Sequence, residues 1–237
     1  HTERLLKYME YPISIDKETV TLQGCENIVA KDIDVPSDIS SAAFFIVAAL
    51  IKKGSDITLN NIGVNPLRTG IIDILLKMGA NIKLTNCRTI CNEPVADIKV
   101  KYSQLTPINI SGDIISRLID ELPILFIACA TCNGLSLIKD IHELRYKESD
   151  RIEAMENGLK KLGIDIVSTE NSIKITGGNF SGGIVDSYGD HRIAMSFLIA
   201  GLVSDKPITV LNTSNINTSF PNFENILRNQ KIDVYTV

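Results

Sequence analysis

Ser41-Ala42-Ala43-Phe44-Phe45-Ile46-Val47-Ala48-Ala49-Leu50-Ile51-Lys52-Lys53 is apolar on almost every side of a helical wheel, and helices of this kind recur along the chain. A helix that meets water on one face carries polar residues there, so an all-round apolar helix predicts complete burial. The same character returns at residues 122–132 and again at 191–203. Each run is followed by an order of elements that repeats, the mark of an architecture built from equivalent units.

In the first copy Gly54 ends the apolar helix, residues 57–60 read as a strand, 67–78 as an amphipathic helix, and 81–84, after Gly79, as a second strand. The second copy runs through Gly134, a strand at 135–139, a helix at 149–162, Gly163 and a strand at 165–168. The third continues with a strand at 207–211, a helix at 220–229 and a strand at 233–236. Linking strands are expected at 89–91, 98–101, 108–110 and 172–175. Each second helix is striped at the 3.6-residue period and should face solvent on one side. The expected fold class is α/β with approximate three-fold symmetry, helices within and sheets outside.

Residues 2–30 fall outside this repeat and offer one helix and two short strands, 13–15 and 19–22, alternating around Asp16-Lys17-Glu18. Val35-Pro36-Ser37 then reads as a crossover and a natural hinge, which divides the chain into residues 1–34 and 35–237. The chain opens within an amphipathic helical stretch, His1-Thr2-Glu3-Arg4-Leu5-Leu6-Lys7-Tyr8-Met9, and is expected to be a piece of a longer protein.

With 237 residues and 44% hydrophobic content the chain can bury a substantial core. Its 24 basic and 28 acidic residues give a net charge of −4, which argues against a general binder of nucleic acid or membrane surface and for a small metabolite as partner. No apolar run reaches the roughly 18 residues of a membrane span, and the expected location is the cytoplasm. Cys129 and Cys132 lie in an apolar run and are read as reduced core residues. Cys87 and Cys91 have the spacing of a metal half-site, but His1, His142 and His191 are too scattered to complete it, so no zinc site is expected.

Two charged runs remain, Lys147-Glu148-Ser149-Asp150-Arg151 and Asp190-His191-Arg192, both where helices should begin. An acid also precedes each apolar helix: Asp38, Asp120 and Asp190. Capping of free amide groups accounts for such acids, and it is the preferred reading for Asp38. Three-fold symmetry nonetheless gathers the helix starts at one end of the domain, where their amides suit anions.

With these motifs in hand, the chain resembles the C-terminal half of the 5-enolpyruvylshikimate-3-phosphate synthase family over essentially its whole length. The resemblance rests on Asp38-Ile39-Ser40-Ser41-Ala42-Ala43-Phe44-Phe45, Arg68-Thr69-Gly70 with Met78-Gly79-Ala80, Asp120-Glu121-Leu122-Pro123, Glu143 through Arg151, Asp190 through Met195, and Thr218-Ser219-Phe220-Pro221. It implies an inside-out α/β barrel of the enolpyruvyl transferase type, in which residues 1–34 end an upper domain and 35–237 form the lower one. It implies transfer of the enolpyruvyl group of phosphoenolpyruvate to the 5-hydroxyl of shikimate 3-phosphate, with no metal or organic cofactor. The other partner implied is the N-terminal half of the same protein, the whole acting as a monomer.

Residue by residue, the resemblance makes Asp120 the candidate base and Glu148 a candidate proton donor or shuttle. Lys147 contacts the reacting groups, and Arg151 and Arg192 grip phosphoenolpyruvate. Asp150, Asp190 and His191 are supporting residues that orient the arginines or hold helix starts. Glu143 stands where some members carry an asparagine on the substrate phosphate and is not assigned as a ligand. Thr218 stands where some members place a lysine, a feature of the subgroup often less sensitive to glyphosate. Two other readings are carried forward: an enolpyruvyl transferase acting on UDP-N-acetylglucosamine, and a non-catalytic anion-binding fragment.

Overall fold

The computed structural model describes residues 1–24 and 27–235. Its centre is a bundle of three apolar helices, α2 (Ile39–Ile51), α4 (Leu122–Ala130) and α6 (His191–Ala200), packed on one another. Every residue of α4 is buried, as is nearly all of α2, which is what all-round apolar sequence requires. Each large aliphatic or aromatic side chain so buried contributes about 1.5–3 kcal/mol.

The remaining elements, in chain order, are α1 (Thr2–Tyr8), β1 (Ile13–Asp16), β2 (Thr19–Leu22), β3 (Asp56–Gly63), α3 (Gly70–Lys77), β4 (Asn81–Ile90), β5 (Glu93–Lys101), β6 (Asn109–Ile110), β7 (Leu135–Lys139), α5 (Arg151–Lys161), β8 (Asp165–Ser168), β9 (Ser172–Thr176), β10 (Gly183–Asp186), β11 (Ile208–Leu211), α7 (Ile216–Ser219) and α8 (Phe223–Asn229). Short 3-10 turns precede α4 and α5.

The three-fold repeat is visible in the strand pairing. Ser37 bridges Ile62 in parallel across α2, β6 pairs in parallel with β7 across α4, and β10 pairs in parallel with β11 across α6. Each buried helix is therefore the crossover of a β-α-β unit, the connection that parallel neighbours demand. In the first two units an antiparallel strand, β5 or β9, then separates the parallel strand from the one that follows the solvent-facing helix, in the orders β3-β5-β4 and β6-β7-β9-β8. Among the described residues, β11 has no antiparallel neighbour. The ring is closed by aromatic packing instead: Phe44 and Phe45 of α2 meet Phe220 and Phe223 at centroid distances of 5.5–6.1 Å.

Several boundaries differ from the sequence reading. Residues 81–84 and 89–90 belong to one long strand, β4, interrupted by a register shift between Thr85 and Arg88, while Cys91 lies in the turn that follows. β10 was not anticipated. The helix expected at 220–229 begins only at Phe223, as α8, after Pro221 and Asn222, which adopts φ +69°, and the short helix α7 ahead of them was not anticipated. Asp233 to Tyr235 is not a strand, and Thr236 lies outside the described residues.

At the other end, β1 and β2 form the expected hairpin, but its turn is only two residues long because Asp16 pairs with Thr19. Tyr8 donates to the Asp32 carbonyl at 2.9 Å, and His1 and Arg4 reach Glu93 and Asn92 at the β4–β5 turn. Cys129 and Cys132 are free and buried, and burial pushes the Cys129 thiol up to about 12.

Candidate active site

Helix starts do not all use their acids in the same way. Asp38 caps α2, accepting from the amides of Ser40 and Ser41 at 3.1 and 3.2 Å. Asp190 caps α6, accepting from Arg192 and Ile193 at 2.8 and 3.4 Å, and Asp150 caps α5 through the Glu153 amide at 2.9 Å. Asp120 caps nothing. A 3-10 turn over Ile119–Glu121 makes Glu121 the residue before α4, and among the described residues no side chain caps that helix. Asp120 is left with its carboxylate for other partners.

Those partners are cations from the first charged run. Lys147 Nζ lies 3.4 Å and Arg151 Nη1 3.5 Å from Asp120 Oδ1. Arg192 Nη1 donates to the Asp120 carbonyl at 3.0 Å. Burial alone would raise the Asp120 pKa, but the charges of Arg192, Lys147 and Arg151 outweigh it and hold the carboxyl below its ordinary value. Asp120 is thus ionised at neutral pH, an acceptor without a proton of its own.

Arg151 occupies the first turn of α5 and is 1% exposed. Its Nε donates to Asp190 Oδ2 at 2.8 Å, and its Nη2 donates to Glu148 Oε2 at 2.5 Å and to Asp190 Oδ1 at 3.4 Å. Ser149 Oγ donates to the same Asp190 at 3.1 Å. Here too burial favours protonation, and the arginine overrides it, so Asp190 titrates below its ordinary value. The planar fork of arginine, always charged, suits this many carboxylate oxygens.

Around this core the supporting contacts are consistent in sign. Lys147 is anchored by Glu143 at 2.7 Å, which with Asp120 raises the lysine pKa. Glu143, not assigned as a ligand from sequence, is therefore the tether of Lys147. Arg145 donates to Asp150 at 2.7 Å and to the carbonyls of Thr169 and Glu170, fixing the segment before α5 to the β8–β9 turn. His191 is held neutral, its pKa lowered by burial and by the adjacent Arg192.

All the sequence-predicted residues, Asp120, Lys147, Glu148, Asp150, Arg151, Asp190, His191 and Arg192, thus gather where α4, α5 and α6 begin. Sequence reasoning gave no role to Glu121, Ser40 or Arg68. Ser40 Oγ donates to Glu121, Arg68 Nη2 donates to Ser40 Oγ at 2.8 Å, and Arg192 Nη1 lies 3.7 Å from Glu121 Oε1. All three residues stand in the quoted motifs, but the contact between Ser40 and Glu121 spans 81 positions and has no local signature. Among the described residues, no cluster of His, Cys, Asp or Glu is arranged to hold a metal ion, and no helix is long and apolar enough to cross a membrane.

The sequence and the overall fold match known proteins. The family model described as EPSP synthase (3-phosphoshikimate 1-carboxyvinyltransferase) matches residues 1–227. A 3-phosphoshikimate 1-carboxyvinyltransferase of Geotalea uraniireducens is 51% identical over 224 residues, 94% of this chain and 52% of that protein. One from Methylococcus capsulatus is 48% identical, over 99% of this chain and 54% of its own length. The structure of EPSP synthase from Acinetobacter baumannii superposes with a TM-score of 0.93 at 45% identity, over 97% of this chain and 54% of that one. The enolpyruvyl transferase NikO from Streptomyces tendae shares the fold at a TM-score of 0.71 and 16% identity. The chain spans about half the length of the curated relatives it matches.

Proposed function

The chain belongs to the EPSP synthase family, and from that premise we propose that it forms one wall of a site transferring the enolpyruvyl group of phosphoenolpyruvate to the 5-hydroxyl of shikimate 3-phosphate. The remaining half of the relatives' length supplies the facing wall, so the isolated chain is inactive. Residues 1–34 belong to that neighbouring domain and 35–237 to this one. The step serves aromatic amino acid biosynthesis in the cytoplasm.

The observation that carries this reading is the convergence of an unprotonated, uncapped acid, Asp120, with Lys147, Glu148, Arg151 and Arg192 at three helix starts. The reaction adds a proton to the methylene carbon of phosphoenolpyruvate and the hydroxyl oxygen to its C2. The hydroxyl proton passes to a base, and the C2–O bond to phosphate then breaks, leaving the enolpyruvyl ether after loss of the methyl proton. It requires a base at the hydroxyl, an acid at the methylene and fixed cations around phosphate and carboxylate.

In this reading Asp120 accepts the hydroxyl proton. In the state seen, Lys147, Arg151 and Arg192 depress its basicity. Substrate phosphate and carboxylate draw on the same cations, which returns Asp120 towards its ordinary pKa as the site fills. Glu148, bonded to Arg151, is the candidate proton donor or shuttle, and Arg192 a fork for phosphoenolpyruvate. Asp150, Asp190 and His191 hold the helix starts from which these groups project.

The test is phosphate release by the chain completed with an N-terminal half of the length its relatives carry. Release with shikimate 3-phosphate and not with UDP-N-acetylglucosamine supports the reading, and the reverse preference contradicts it.

A further inference from the structure

Glu121 is a charged side chain only 3% exposed, one residue from the candidate base, and the proposed chemistry gives it no role. It stands at the N-cap position of α4 without capping that helix. Its carboxylate turns instead to the two neighbouring helices, accepting from Ser40 at the start of α2 and approaching Arg192 Nη1 at 3.7 Å at the start of α6. Arg68, from the loop before α3, donates to Ser40 and secures the far side of the contact.

We propose that Glu121 is a positioning residue for substrate binding: set by Ser40 and Arg68, its carboxylate holds the Arg192 guanidinium in the orientation that grips phosphoenolpyruvate. This rests on the functional reading above. The geometry favours it because, among the described residues, the Arg192 side chain meets the Asp120 carbonyl and Glu121 through the single nitrogen Nη1. An arginine held along one edge keeps the rest of its fork for a planar anion, whereas one without that anchor samples many rotamers before it binds.

A purely structural role makes a different demand. Burial, with Asp120 alongside, pushes the Glu121 carboxyl up, while Ser40, Arg192 and Arg68 oppose the shift. An acid whose folded pKa is raised binds its proton more tightly in the folded state. Its ionised form therefore costs stability above that pKa, and the cost disappears at lower pH. Removing the charge at neutral pH should not unfold the protein.

The experiment is steady-state kinetics and thermal unfolding of E121Q and E121D in the completed protein. E121Q is expected to raise the KM for phosphoenolpyruvate by about tenfold and that for shikimate 3-phosphate by less than about twofold. Its melting midpoint should fall by no more than about 2 °C or rise. E121D, which keeps the charge, should recover most of the lost phosphoenolpyruvate affinity. An unchanged phosphoenolpyruvate KM in E121Q overturns the inference, as does a parallel rise of both KM values with a lower melting midpoint. Absence of phosphate release from the unsubstituted protein overturns the functional reading and this inference with it.

Discussion

Arg151 and Arg192 stand in the first turns of two adjacent helices and carry the same expected role, yet their surroundings differ. Arg151 is buried and engages Asp190, Glu148 and Asp120 through all three of its guanidinium nitrogens. Arg192, with 15% of its side chain exposed, is held through Nη1. The first is a structural tie, and the ligand role proposed for it would require exchanging a carboxylate for substrate. The second presents donors without such an exchange. Shared motifs thus place two arginines at one site while their environments assign them different thermodynamic weights.

The largest test of that contrast is Arg151→Ala. It leaves the buried Asp190 carboxylate with its amide and Ser149 donors but without its cation, and loss of one partner from a buried pair costs about 3–5 kcal/mol. Urea unfolding should show this, and Arg151→Lys should recover only part of it because the fork geometry is lost. Arg192→Ala should cost less stability than Arg151→Ala, because Glu121 keeps its bond from Ser40 and its raised pKa eases uptake of a proton, while turnover of the completed protein falls on the order of a hundredfold or more. Equal losses of stability in the two variants would erase the distinction.

Asp120→Ala supplies the matching test among the acids. Since Asp120 caps no helix, turnover should again drop on the order of a hundredfold with little change in far-ultraviolet circular dichroism. The same substitution at Asp190 removes a cap and an ion pair together and should unfold the start of α6.

Smaller in effect is Gly158→Ala, which probes the contact that holds α5 against α6. A Cβ there would overlap the ring of Phe197, and overpacking of this kind costs about 1–3 kcal/mol. Both arginines should be disturbed together, so KM for phosphoenolpyruvate rises along with the loss of stability.

The pH dependence is the gentlest probe. Asp190 and Asp120 both have folded pKa values below their ordinary one. Their contribution is therefore complete above the unfolded value, near pH 4, and is lost as pH falls through the folded values. Asp190→Asn should flatten the decline of stability on acidification below about pH 4.

Much of this was legible in the sequence where the determinant is local. All-round apolar runs announced α2, α4 and α6, and an acid just ahead of an apolar run announced the caps at Asp38 and Asp190, whereas the helix expected at 149–162 starts later, at Arg151, with Asp150 as its cap. What failed was set at a distance. The length of β4, Asn-Ile-Lys-Leu-Thr-Asn-Cys-Arg-Thr-Ile, depends on pairing with β5 across a bulge and not on its own weak alternation. β10, only four residues long, forms because β11 lies parallel to it. Capping was also open for Asp120, but α4 begins at Leu122 as read, the 3-10 turn puts Glu121 at its N-cap position, and the Asp120 carboxylate is left for other partners. Glu121 had no readable role because its partners come from α2 and α6.

The central claim, that this chain is one wall of an enolpyruvyl transfer site, is tested most directly by assaying phosphate release from phosphoenolpyruvate and shikimate 3-phosphate with residues 1–237 alone and then with the N-terminal half restored. The account predicts negligible release from the chain alone and robust release on completion. Robust release from residues 1–237 by themselves, or none from the completed protein, would contradict it.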